Sequence, residues 1–216
     1  MAGLLRHRVY LAAEYAVLAF ALPLAYRFDA LPVHPFLPLW VIAGLCLVGL
    51  MTDRRYPRRE LLNVAGLRSH LRPILIRFAV VAACVFVAAA VFTPDLLFGL
   101  IRRRPDIWAM IMVFYPVLSV YPQGIIYRTF VLHRYRHLAP GRWGPLVMSA
   151  VAFAFVHVIF RNPIAPLLTL GVGLLLAHTH QRSRSLLASS VEHALYGCLM
   201  FTIGWGWYFY HGSIGR

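Results

Sequence analysis

Seven blocks of apolar sequence, each near the length needed to cross a bilayer, restrict this chain more than any other feature. They run over about 9–26, 36–52, 74–98, 107–133, 145–160, 163–180 and 186–210, with Arg, Pro and Gly gathered between them. A hydrocarbon core about 30 Å thick is spanned by about 20 helical residues. Only helices or closed barrels satisfy every backbone N–H and C=O in that medium. The blocks predict an all-α, polytopic helical membrane protein with about seven transmembrane helices. Composition agrees: 61% of the 216 residues are hydrophobic and 13% charged, whereas soluble domains hold roughly 45–50% apolar and about 25% charged residues. Disorder and an ordinary soluble fold are excluded.

The charges between the blocks carry a second message. All 21 basic residues are Arg, against seven acids, for a formal net charge of +14. Such a balance in a soluble chain suggests nucleic acid; here the Arg residues stand at the ends of apolar spans, where they set topology and meet anionic lipid, so no nucleic-acid partner is expected. With the N-terminus cytoplasmic, thirteen Arg fall on that side and six on the other, Arg216 among the six. The positive-inside rule therefore favours a cytoplasmic N-terminus, with the Arg102–Arg104 triplet running against it. The first block resembles a signal peptide in its Arg6–Arg8 flank, but Glu14 interrupts its centre and further spans follow, so a retained helix is expected. Residues 53–72 mix Leu61, Leu62, Val64, Leu67 and Leu71 with Arg and predict an interfacial amphipathic helix. Cys46, Cys84 and Cys198 lie in apolar runs without a C-x-x-C spacing and read as small core residues.

Ionisable side chains at membrane depth cost about 2.5–3.5 kcal/mol each on insertion scales, so each needs a partner or a role. Arg77 sits one turn inside its span and can snorkel outward. His178 and His180 read as exit residues at the end of the sixth span. Three clusters remain: Gln123 with Arg128 in the fourth span, Phe153 followed one helical turn later by His157 in the fifth, and Glu192–His193 in the seventh. Glu14 is the other intramembrane carboxylate. The three clusters are expected to meet in one buried chamber.

Together these residues resemble the CAAX protease and bacteriocin-processing (CPBP, or Abi) family of intramembrane endopeptidases, also called the type II CAAX prenyl endopeptidase family. Its pattern runs Glu-Glu-x-x-x-Arg, Phe-x-x-x-His, a glycine-containing helix, then His-x-x-x-Asn or Asp. Arg128, Phe153 to His157, Gly171 with Gly173, and His193 match it. The resemblance covers about 107–205, and divides a single integrated membrane domain into N-terminal helices with the basic segment (1–106) and a protease-like core (107–210). Two positions depart: the glutamate pair falls on Gln123 and Gly124, and the final Asn or Asp on Gly197.

The resemblance implies hydrolysis of a peptide bond in a membrane-associated polypeptide, by water activated by a glutamate and a histidine. It assigns His157, His193, Glu192, Gln123 and Arg128 to the chemistry and Phe153, Tyr127 and Tyr196 to substrate contact. Water needs a base or a metal to attack an amide, and Gln123 cannot act as that base. Glu192 or Glu14 is then the carboxylate left for the task. Either is also expected to approach Arg128, whose usual neutralising glutamate is missing. No cofactor is expected, although two imidazoles and a carboxylate also suit zinc. Two functions follow: an active endopeptidase, or a catalytically silent relative that binds a membrane-anchored peptide or partner. A transporter would show paired repeats, which are absent. A bacterial inner membrane is the expected setting.

Overall fold

The computed structural model describes residues 2–209, which are helical without any strand. Each apolar block forms a helical rod: α1 (2–27), α2 (Phe36–Thr52), α3 (Val64–Phe92), α4 (Pro105–Arg134), α5 (Gly144–Phe160), α6 (Ile164–Ser183) and α7 (Leu186–Ile203). Four rods are long and apolar enough to cross a membrane: α1 over His7–Arg27, α3, α4 and α7; α2 and α5 are shorter apolar helices. Arg216 and the side chain of Arg6, both used in the basic count, lie outside what is described.

The segment 53–72 does not form its own interfacial helix. Pro57 interrupts it, Arg58–Leu62 makes a short 3-10 turn, and α3 begins at Val64 and continues to Phe92. Asn63 sets that start, its side-chain oxygen accepting from the Gly66 N–H at 3.0 Å. Its amide also donates to Arg184 O at 3.0 Å, and Ser185 donates to Asn63 O at 2.7 Å. Ser185 is in turn the N-cap of α7, accepting from Ala188 N–H at 3.1 Å. The starts of α3 and α7 are thus tied together. Gly66 permits the approach, since a Cβ there would lie 2.4 Å from Ser183 O. The register that results brings Arg77 of α3 beside Glu192 of α7.

Two rods widen locally into π-turns, Val17–Ala21 in α1 and Pro116–Val120 in α4, and each is followed two residues later by a proline, Pro23 or Pro122. Proline cannot donate to the carbonyl four residues back and its ring crowds that oxygen, so a wider turn relieves the conflict. The carbonyl that Pro122 leaves unpaired, Leu118 O, accepts instead from the Trp40 indole at 3.1 Å. A further π segment, Ile125–Phe130, presents buried Tyr127 and Arg128.

Large apolar side chains remain exposed along helical stripes, among them Leu37, Val41, Leu45 and Val48 on α2 and Val80, Val87 and Val91 on α3. Such faces fit lipid contact. The buried cluster lies deeper, joining Leu50, Ile126, Tyr127, Phe153, Leu176 and Tyr196. α5 packs closely along α6 because Gly173 has no side chain: a Cβ there would stand 3.1 Å from Ala150 Cα and 3.2 Å from Phe153 Cδ1. Gly171, the other glycine of the motif, faces open space.

Candidate active site

Phe153 is the hub at which the three sequence clusters meet. The Arg128 guanidinium lies over its ring, with Cζ 4.0 Å from the centroid. The His157 ring is centred 4.8 Å away, the His193 ring 5.2 Å and the Tyr127 ring 5.9 Å. All five side chains are buried. α4, α5 and α7 therefore bring together Arg128, Phe153 with His157, and His193, as the expected chamber requires.

The protonation pattern of one imidazole follows from its partner. His157 Nδ1 lies 2.7 Å from Phe153 O; a carbonyl only accepts, so Nδ1 carries the hydrogen and the neutral ring keeps its lone pair on Nε2. His193 Nε2 faces the Tyr115 hydroxyl at 3.4 Å, and its Nδ1 is buried without a hydrogen bond among the described residues.

Tyr115 answers one departure from the family pattern. A Cβ at Gly197 would fall 2.3 Å from the Tyr115 hydroxyl oxygen and 2.6 Å from Cζ. The space above Gly197 is thus filled by the phenol of α4, which puts a polar group against His193. Sequence reasoning missed Tyr115; its signal was the small residue opposite, which implied something bulky packed there.

Gly124 is also filled from across the interface. A Cβ there would meet Leu186 Cδ1 at 2.6 Å and Ser190 Oγ at 3.2 Å. Gln123 beside it donates to Ser119 Oγ at 2.8 Å, while its Oε1 is buried without a partner.

The carboxylates lie elsewhere than expected. Glu192, fully buried, accepts from Arg77 Nε at 3.0 Å and Nη2 at 3.2 Å, and from the hydroxyls of Thr179 and Tyr196. Arg77, expected to snorkel, is thus an ion-pair partner. Tyr196 belongs to this network and not to the Phe153 hub. Glu14 pairs with Arg134 and accepts from Tyr135 at 2.8 Å. Neither acid forms an ion pair with Arg128, each pairing with another arginine, although Glu192 lies near enough to act on Arg128 electrostatically. Both terminal nitrogens of Arg128 are buried without a hydrogen-bond partner among the described residues.

The hub can accept a proton at His157 and offers the Arg128 guanidinium and the Tyr115 hydroxyl to an anion or a carbonyl. It carries no free carboxylate among the described residues. Among the described residues no three His, Cys, Asp or Glu side chains converge at a spacing suited to a metal.

Residues 104–199 match the family model described as type II CAAX prenyl endopeptidase Rce1-like. The match covers Arg128, Phe153, His157 and His193, and agrees with the resemblance carried by their motifs. Residues 104–199 are thus similar to that family, and the apolar helices that carry them suggest a membrane protein. No curated protein and no solved structure is similar enough to the chain to count as a match.

Proposed function

We propose that the protein is a protease-like membrane receptor that binds a segment of a membrane-associated polypeptide at the Phe153 hub without cleaving it. The supporting observation is the division of charge: Glu192 is saturated by Arg77, Thr179 and Tyr196, while Arg128 is unpaired beside two neutral-capable imidazoles. Hydrolysis of an amide needs a base poised on water, and carboxylates in such sites act only when their oxygens are free to accept. Glu192 serves as a counter-ion. In this reading Arg128, His193 and Tyr115 hold peptide carbonyls, with Phe153 and Tyr127 forming the apolar wall. The chain would lie in a bacterial inner membrane as seven crossings with its N-terminus in the cytoplasm, a placement that rests on the Arg excess of the 53–72, 134–142 and 182–184 connections.

One observation favours an active endopeptidase: the His157 Nε2 lone pair, left free by the bond to Phe153 O, is itself a base. The two readings separate when the full-length protein in neutral detergent is incubated with a pool of lipid-anchored peptides and both retention and cleavage are read by mass spectrometry. Retained, intact peptide, lost on Arg128→Gln, is expected. Cleavage products that vanish on His157→Ala would overturn the receptor reading.

A further inference from the structure

A cavity lined in part by arginines lies away from the Phe153 hub, at the helix ends where the basic connections gather. Its volume is about 370 Å³, and it opens between the α2–α3 connection, the end of α4, the start of α5 and the end of α6. Arg55, Arg136 and Arg184 stand on its wall with Thr129, His180 and Glu60. An adjoining cavity of about 250 Å³ shares Arg55 and Arg136.

The donors here exceed what the protein itself uses. Thr129 Oγ1 and His180 Nδ1 are buried without a well-aligned hydrogen bond among the described residues, the Tyr56 side chain lying beside Thr129 and the Ser185 backbone beside His180. Arg55 and Arg136 enter no ion pair among the described residues, although Arg136 Nη1 donates to His133 O at 2.7 Å and its Nε to His137 Nε2 at 3.0 Å, and Asp53 acts on Arg136 at longer range. Glu60 is the acid on this wall, and Arg184 Nε holds its Oε1 at 2.6 Å, with His180 Nε2 3.7 Å from Oε2. Burial raises the Glu60 carboxyl above its ordinary pKa. With Arg184 paired to Glu60 and Asp53 bonded to His133, Arg55 and Arg136 leave the cavity positive.

We propose that this cavity binds a phosphate group, held by Arg55 and Arg136 with Thr129 and His180 as supporting donors. A guanidinium meets phosphate oxygens through parallel N–H donors. Its place at the ends of membrane helices puts it at the depth of lipid headgroups, where basic pockets between helices collect anionic lipids. The phosphate then comes from an anionic lipid headgroup or from a soluble phosphate, and the experiment distinguishes them.

Thermal unfolding and equilibrium binding of the full-length protein in neutral detergent are measured with dioctanoyl phosphatidylglycerol, dioctanoyl phosphatidylcholine and inorganic phosphate. Phosphatidylglycerol is expected to bind about ten-fold more tightly than phosphatidylcholine, and Arg55→Gln or Arg136→Gln to weaken it about five-fold each. Glu60→Gln is expected to tighten it, a change of sign that loss of folding cannot imitate. A response to phosphatidylglycerol without one to inorganic phosphate assigns a lipid headgroup; a response to inorganic phosphate assigns a soluble ligand, and both support the site. Equal binding of the two lipids with no phosphate response, or unchanged binding by a folded Arg55→Gln/Arg136→Gln variant, overturns it.

Discussion

Two arginines inside the helical bundle have opposite fates. Arg77 of α3 meets Glu192 of α7 through two nitrogens, with Thr179 and Tyr196 completing the carboxylate's shell. Arg128 of α4 has the face of Phe153 and no ion pair among the described residues, with Glu192 acting on it only at longer range. The first arrangement is self-sufficient, and so joins helices. The second leaves buried donors unused, available to a ligand. The difference teaches that a buried ionisable group in a membrane protein must be judged by its complete set of partners.

The largest effect is expected at the self-sufficient pair. Glu192→Ala leaves Arg77 unpaired beside Thr179 and should cost about 3–5 kcal/mol, seen as a large fall in the unfolding temperature. Replacing both partners, as Arg77→Met with Glu192→Leu, should restore most of it. Arg128→Met should do the reverse, leaving stability unchanged or higher because an uncompensated charge is removed, while peptide retention is lost. A fall comparable to that of Glu192→Ala would mean that Arg128 has a structural partner, and the contrast would fail.

Next comes packing. Gly197→Asn drives a Cβ into the Tyr115 ring and should cost about 1–3 kcal/mol, recovered when Tyr115→Ala makes room. Gly124→Glu should be tolerated only with Leu186→Ala, after which the new carboxylate lies on the same helical face as Arg128, four residues on. The smallest effect is at Glu60, outside the membrane helices. Its folded-state pKa is raised by burial above 4.5, so its contribution to stability is full below that value and declines as pH rises through the folded pKa. Unfolding in denaturant should show that decline in the wild type, and a shallower one in Glu60→Gln.

The helical rods were legible from apolar periodicity and the positions of Arg and Pro, because lipid enforces the same pattern that the sequence displays. The hub was legible too, through the order in which Arg128, Phe153, His157 and His193 resemble the motifs of the CPBP family. Partner choice was not. Arg77 and Glu192 are 115 residues apart, and which arginine reaches the acid depends on the Asn63–Ser185 tie that sets the register of α3 against α7. Tyr115 was hidden for the same reason: its place over Gly197 is a tertiary fact with only a glycine to mark it. The segment 53–72 misled because its amphipathic pattern is shared between a capped turn and the first turns of a long helix.

The central proposal is that the Phe153 hub binds peptide and has no carboxylate poised to activate water. Its most direct test is hydrolysis of lipid-anchored peptides by two purified proteins, the wild type and a Gln123→Glu/Gly124→Glu/Leu186→Ala variant, followed by mass spectrometry. The account predicts intact peptide with the wild type and new cleavage products with the variant. Cleavage by the wild type that His157→Ala abolishes would contradict it.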